Sequence, residues 1–436
     1  MQTLDKIPTG KIERAGKLVR TGAKIGGNYI KYYSKKLVQP DLGRDELDQD
    51  NAGDIYDGLK SLKGSALKVA QMLSMDKNLL PRAYVEKFSL AQFSVPPLSA
   101  PLVRKTFFKY FGKYPEDLFD DFNTSAVNAA SIGQVHRARK NDKALAVKIQ
   151  YPGVAASIKS DLALVKPIAI RMFNLEGKDT DKYFKEVEEK LVEETNYLLE
   201  LKQSREITEA CAVLPGIDFP QYYPELSSDR ILTMDWMYGQ HLSEYTSSDF
   251  DKEEALGLGQ SLWDFYMFQM HGLRKVHADP HPGNFLVSEQ GRLIAIDFGC
   301  VKEIPESFYV PYFELAKRET IEDEALFTEK LFELEILTEK DSAEERVFFQ
   351  QLFKEMLSLF TAPFNEEYFD FGDEHFWERI ASLSTRLSKG EEIRKLNSNR
   401  GSKHFLYINR TFFGLYNMLY DLKARVEVNG FRKFMD

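Results

Sequence analysis

The sequence predicts an α+β protein of two lobes behind a helical N-terminal extension. Three observations carry this. Apolar residues recur at helical spacing over most of residues 11–112. β-prone runs flank a turn at 129–151 and return at 230–235, with a long charged helix between them. From 240 onward the pattern is helical again, broken only at 275–301. The predicted partition is an extension over 1–125, a mixed lobe over 126–238 and a mainly helical lobe over 239–436. A chain of 436 residues exceeds one compact core, and about 150 residues per domain predicts two or three units.

The elements follow in order. Residues 11–37 read as a basic helix with eight Lys or Arg and one acid, Glu13. Ala15, Leu18, Gly22, Gly26, Tyr29, Tyr33 and Leu37 recur along it, so it lies either on an anionic membrane or partner or on its own protein. Residues 40–53, rich in Asp, Gly, Asn and Pro, read as a linker. A second helix is expected over 54–76, where Ile55, Leu59, Leu62, Ala66, Val69 and Leu73 step by three and four. Lys68 and Gln71 share an adjacent face of it. The Pro96-Pro97 break precedes a helix at 100–112. Strands are expected at 129–139 and 144–151 around Asn141-Asp142, then a helix over 181–208 and a strand at 230–235. Within 275–301, short apolar strands flank a turn at Glu289-Gln290-Gly291. The acidic, aromatic stretch Phe364–Trp377 reads as ordinary packing ahead of a docking surface.

Composition excludes several classes. With 58 Lys and Arg against 67 Asp and Glu the net charge is −9, which argues against a general nucleic-acid binder. Cys211 and Cys300, the two cysteines, make no disulfide framework and fit a reducing compartment. No apolar run reaches about eighteen residues, and the N-terminus lacks an apolar signal-peptide core. A cytoplasmic protein with peripheral membrane contact at most is the expectation.

The chemistry is carried by His277-Ala278-Asp279-Pro280-His281-Pro282-Gly283-Asn284, followed by Ala295-Ile296-Asp297-Phe298-Gly299. Phosphoryl transfer needs a cation on the phosphate oxygens and a group that orients the nucleophile. Mg²⁺ takes oxygen ligands, which Asp and Asn supply. An Asp five residues before an Asn, then a hairpin, then Asp-Phe-Gly meets both needs. Asp279 is thus the candidate catalytic residue, Asn284 and Asp297 are the candidate metal ligands, and Gly299 is expected to permit the turn. Upstream, Ala144-Leu145-Ala146-Val147-Lys148-Ile149 places Lys148 on a strand, where it would contact the α- and β-phosphates. A lysine in so apolar a run needs a carboxylate, and Glu200 on the charged helix is the candidate. The loop Asn128-Ala129-Ala130-Ser131-Ile132-Gly133 has one glycine, yet its small residues let backbone N–H groups approach phosphates.

Together these segments resemble the UbiB family of atypical kinases, which includes the coenzyme Q biosynthesis ATPases. The matches are Lys68-Val69-Ala70-Gln71, Ala129 to His136, Val147 to Val154, Glu194-Thr195-Asn196 with Glu200, Leu232 to Trp236, and the Asp279–Asn284 and Asp297–Gly299 motifs. They span about residues 15–300 in order. The resemblance implies a protein-kinase-like fold that binds ATP with Mg²⁺, hydrolyses ATP, and supports isoprenoid-quinone biosynthesis or lipid homeostasis. It implies nucleotide contacts from Ala129, Ala130, Ser131, Lys148, Glu200, Asp235 and Met237. It also implies an extension that folds over the active site, where Lys68 and Gln71 gate the pocket with Glu194 and Asn196 as partners. Three departures stand out: Ala70 replaces the family's glycine, Asn128 an alanine, and Asn196 an aspartate. Bacterial members often carry a C-terminal membrane anchor, and no counterpart of it is expected in these residues.

The acceptor is expected to be water or a lipid-like or quinone-precursor molecule. No Ala-Pro-Glu anchor follows Asp297-Phe298-Gly299, the His277-Ala278-Asp279 run lacks the arginine of protein kinases, and His281 stands where they place a lysine. Two alternatives stay open: a small-molecule kinase of the choline or aminoglycoside kind, and a nucleotide-binding scaffold without turnover.

Overall fold

A computed structural model describes residues 11–39, 43, 45–62, 66, 68–69, 83–84, 87, 97–130, 132–173, 179–389 and 400–434. The chain divides into two compact units. The first comprises Met1–Leu201 with Gln221–Trp236, the second Lys202–Pro220 with Met237–Asp436.

The first unit opens on helices α1 (Lys11–Val38) and α2 (Asp45–Leu62). The acid-rich stretch expected as a linker belongs largely to α2. Leu47 and Ala52 of it are buried, and its polar side meets a charged partner: Lys24 pairs with Asp54, Lys31 with Asp50, and Asn28 donates to Asn51 and Asp54. Part of the basic face of α1 therefore packs on its own protein. Val19, Ile30, Tyr33 and Leu37 remain exposed on it. Of the helix expected over 54–76, residues 63–65, 67 and 70–76 lie outside the described residues. Helix α3 (Ala100–Phe111) stands within a residue of expectation.

The sheet of this unit runs β1 (Asp121–Phe122), β3 (Gly133–Lys140), β4 (Lys143–Gln150), β6 (Ile231–Asp235), with β2 (Asn128–Ala129) also on β3. Every pairing is antiparallel. Asn141 and Asp142 turn the β3–β4 hairpin at φ 49° and 61°, the left-handed pair of a two-residue turn that suits the strand twist. Leu145, Val147, Ile149 and Ile231 join a core with Ile158 and Leu162 of α4 (Val154–Phe173) and Phe184, Val187 and Leu191 of α5 (Asp179–Glu194).

The single helix expected over 181–208 is two. It breaks at Thr195-Asn196, and α6 (Tyr197–Cys211) starts afresh. Asn196 Oδ1 accepts the Leu199 N–H at 3.1 Å, and Gln150 Nε2 donates to the Thr195 carbonyl at 3.1 Å. A cap and a captured carbonyl replace the continuing helix ladder.

The second unit is mainly helical. Helix α7 (Lys252–Met267) is its buried axis and runs on into one π-helical turn, Phe268–Leu273. Trp263 of α7 packs with Phe364, Phe371 and Tyr416. Thus aromatic residues of the acidic stretch 364–377 are core, and Tyr368–Asp370 (β12) pairs with Arg425–Glu427 (β13). A small sheet runs Ile217–Asp218 (β5), Leu293–Ala295 (β10), Phe285–Val287 (β9), Gln240–His241 (β7). A separate two-stranded ribbon joins Lys275–His277 (β8) to Val301–Glu303 (β11). Cys211 and Cys300 are both buried and in no disulfide, and burial pushes the Cys211 thiol up to about 12. Among the described residues no helix is long and apolar enough to cross a membrane.

Candidate active site

In the first unit, Lys148 sits midway along β4, opposite Val135 on β3 and Leu232 on β6. Its Nζ donates to Glu200 Oε1 at 2.7 Å and lies 5.2 Å from the Tyr197 ring centre. The Lys148 side chain is 20% exposed and that of Glu200 6%. The Asn196 cap fixes the first turn of α6, which is the turn that carries Glu200. So Asn196 holds the lysine's partner through local backbone geometry.

Lys68 pairs with Glu194 at the end of α5, 3.0 Å apart and largely out of solvent. Gln71 and Ser131 lie outside the described residues. Ala129 is on β2, and the Ala130 N–H donates to the Gly133 carbonyl at 2.8 Å, closing a tight loop. Gly133 is required there. A Cβ on it would stand 2.8 Å from the Ile149 carbonyl oxygen and 2.9 Å from the Tyr197 hydroxyl.

Gln134 and His136, both in the loop motif, have structural roles. Gln134 Oε1 accepts the Leu98 N–H, and its Nε2 meets His136 Nε2. His136 Nδ1 faces the Asn123 carbonyl, so Nδ1 carries the proton and Nε2 accepts. Burial holds the ring below its ordinary pKa despite that bond. Asp235 closes β6 with its carboxylate occupied by the Gln221 N–H and the Tyr223 hydroxyl. Its own N–H donates to the Gln221 carbonyl at 2.9 Å. Met237, half-buried, opens the long segment of the second unit.

In the second unit, two pairings hold the motif loops in register. The β8–β11 ribbon sets His277 against Val301, and the Ala278 N–H donates to the Cys300 carbonyl at 2.8 Å. The β9–β10 hairpin sets Phe285 against Ala295, and the Ile296 N–H donates to the Asn284 carbonyl at 3.0 Å. The segments bearing Asp279 and Asp297 are therefore pinned together on both sides of each aspartate. Asn284 Nδ2 donates to the Asp279 carbonyl at 2.9 Å, which leaves its amide oxygen as the acceptor. Asp279, Asn284 and Asp297 are each half-buried, as a ligand-binding group must be.

Phe298 is fully buried against Phe219, Phe265 and His277. The turn after Asp297 is held by the Gly299 N–H, which donates to Asp297 Oδ1 at 2.8 Å. His281, exposed, accepts the Gly283 N–H on Nδ1 and so caps the 3₁₀ turn Pro282–Asn284.

Two supports were not anticipated. Gln269, buried in the π-helical turn, accepts the His277 N–H at 2.8 Å and so anchors the strand before Asp279. Tyr266 is buried on α7, and burial, with the charge of Asp279, pushes its hydroxyl far above its ordinary pKa. A lone glutamine inside an apolar helix was the available signal for Gln269.

The donor set fits Mg²⁺ brought in on phosphate. One or two carboxylates beside phosphate oxygens is that ion's usual protein share.

The sequence model of the ABC1 atypical kinase-like domain matches residues 90–331. An aarF domain-containing chloroplastic protein kinase of Arabidopsis thaliana is 28% identical over 311 residues, 69% of this chain and 44% of that protein. The mitochondrial atypical kinase COQ8B of Danio rerio is 29% identical over 341 residues, 77% of this chain and 54% of its own. The chain spans about half the length of these curated relatives. The Mycobacterium tuberculosis protein Rv3197, solved with erythromycin, superposes at a TM-score of 0.62. At 24% identity it covers 90% of this chain and 98% of its own. The fold is kinase-like, two-lobed and α+β.

Proposed function

Because the chain belongs to the ABC1 atypical kinase-like family, the UbiB family its motifs resemble, we propose that it is a Mg²⁺-dependent ATPase or phosphotransferase whose acceptor is water or a small lipid-like molecule. The observation that supports this is the double pinning of the Asp279 and Asp297 segments, which would hold a nucleophile-orienting carboxylate, Asp279, near two oxygen donors for a cation, Asn284 and Asp297. Bound Mg²⁺ would neutralise charge on the transferring phosphoryl oxygens.

The chain's own groups supply the rest. Lys148, oriented by buried Glu200, would present its ammonium to the α- and β-phosphates. Asp279 would orient, and accept the proton of, the attacking hydroxyl or water. Asn284 and Asp297 would offer the amide and carboxylate oxygens. Ala129 and Ala130 would bring backbone close to phosphate, and the backbone at Asp235 and Met237 would meet the base. Lys68, tied to Glu194, together with Gln71, would restrict what else enters. The cellular role we infer is support of isoprenoid-quinone or lipid metabolism, with peripheral contact to anionic membrane through α1.

The test is phosphate release by the purified chain from Mg²⁺-ATP, with and without anionic liposomes and quinone-like phenols. Turnover that Asp297→Asn abolishes supports the proposal. Stoichiometric phosphorylation of a soluble amino alcohol or sugar would replace it with a small-molecule kinase. ATP binding without turnover in every condition would favour a scaffold.

A further inference from the structure

Helix α11 (Lys403–Asp421) carries Gly414 near its middle, where glycine weakens a helix relative to alanine. Its backbone is pressed against the residue that follows Asp279. A Cβ added at Gly414 would stand 2.3 Å from Pro280 Cγ and 2.6 Å from the Pro280 carbonyl oxygen. Neither is the yielding end of a flexible side chain. The same helix reaches the segment beyond Asp297: the Tyr407 hydroxyl donates to the Glu303 carbonyl at the end of β11. Asn409 Oδ1 accepts from the Tyr312 hydroxyl at 2.7 Å. Ile408, Leu415, Tyr416 and Leu419 are fully buried, so α11 is itself firmly seated.

We propose that α11 is a brace that sets the position of the Asp279 loop, with Gly414 as its positioning residue. This rests on the phosphoryl-transfer function proposed above. The helix touches the residue after Asp279 and the end of the strand that follows the Asp297 loop, without supplying a reacting group. Alanine at 414 demands about 1 Å of movement to reach ordinary contact, and the seated helix yields less readily than the loop. Moving Pro280 moves Asp279, and through the Asn284–Asp279 hydrogen bond it moves a cation donor as well. A misplacement of about 1 Å can cost on the order of 100-fold in rate.

The experiment uses the full chain with Mg²⁺-ATP and compares wild type, Gly414→Ala, Gly414→Ala with Pro280→Ala, Tyr407→Phe and Asp297→Asn. Expected for Gly414→Ala is a kcat lowered about 10- to 100-fold and a raised Mg²⁺ half-saturation, with metal-free ATP affinity unchanged. Pro280→Ala removes the ring carbon at 2.3 Å and should restore at least part of that loss. Tyr407→Phe, which keeps the packing, should lower kcat a few-fold at an unchanged melting temperature. It carries the test if Gly414→Ala does not fold.

Wild-type kcat and Mg²⁺ half-saturation in both Gly414→Ala and Tyr407→Phe overturn the brace, as does a Gly414→Ala loss that Pro280→Ala leaves untouched. If the wild type binds ATP but hydrolyses none, the Mg²⁺ half-point of ATP binding reads the same displacement. The two failures differ. Turnover indifferent to Asp297→Asn removes the function beneath the brace. Turnover lost in Asp297→Asn but intact in Gly414→Ala removes the brace alone.

Discussion

Glu200→Gln separates charge from shape at the Lys148 pair. The two side chains meet at 2.7 Å, with the carboxylate almost wholly buried. At an effective dielectric near 20 their attraction is about 6 kcal/mol, but withdrawing both charges from water offsets most of it. The intact pair thus adds little net stability. Removing one charge is different, because the other keeps its desolvation penalty. Breaking a fully buried pair costs about 3–5 kcal/mol. Lys148 keeps a fifth of its side chain in contact with solvent, and glutamine keeps an acceptor, so about 2 kcal/mol is expected. For a unit of this size that lowers the melting temperature by about 4–8 °C. Apparent ATP affinity should fall about tenfold, which corresponds to about 1.4 kcal/mol. Thermal melts and ATP titrations on the same preparations measure both. A variant that melts within about 1 °C of wild type and binds ATP within about twofold would refute the claim that Glu200 orients Lys148.

Three further predictions follow from single contacts. Asn196→Ala removes the α6 cap and should cost about 1 kcal/mol in denaturant unfolding, while Asn196→Asp should keep nearly all of it. Gln269→Leu leaves the buried His277 N–H without its acceptor; a loss of about 1–3 kcal/mol is expected, with turnover falling because Asp279 is two residues on. Arg400→Ala strands Asp341, 2.6 Å away and almost buried, for about 3 kcal/mol at pH 7. Burial acts to raise the Asp341 carboxyl, but its hydrogen bonds from Arg400 and the Thr338 N–H prevail and hold it below its ordinary value. A depressed carboxyl adds stability above its unfolded pKa and loses it as pH falls through the folded one. The gap between wild type and Arg400→Ala should therefore narrow below about pH 4, as melts from pH 7 to pH 3 would show.

What the sequence disclosed followed from how local each feature is. The Asp279–Asn284 and Asp297–Gly299 motifs were legible because their chemistry and spacing lie within a few residues, and short strands flank each. Lys148 was legible because a charge in an apolar strand asks for a partner, and Glu200 is the carboxylate it meets. The acidic start of α2 was misread as a linker because acids and amides outnumber its apolar residues: only Leu47 and Ala52 turn to the core there, while Asp50 and Asp54 pair with lysines of α1. The break at Asn196 hid inside a charged run whose period survives the kink. Its signal was the capping residue itself. Gly414 was illegible for a different reason. Its lack of a side chain is explained by Pro280, far away in sequence, and nothing local points there.

The central claim is that Asp297 and Asn284 hold the cation through which ATP is turned over. Titrating ATP into wild type and Asp297→Asn at varied Mg²⁺, with phosphate release followed in the same samples, tests it most directly. In the wild type ATP binding should strengthen with Mg²⁺ and turnover should be present, with both the Mg²⁺ dependence and the turnover lost in Asp297→Asn. ATP binding indifferent to Mg²⁺ in both proteins, or equal turnover by both, would contradict it.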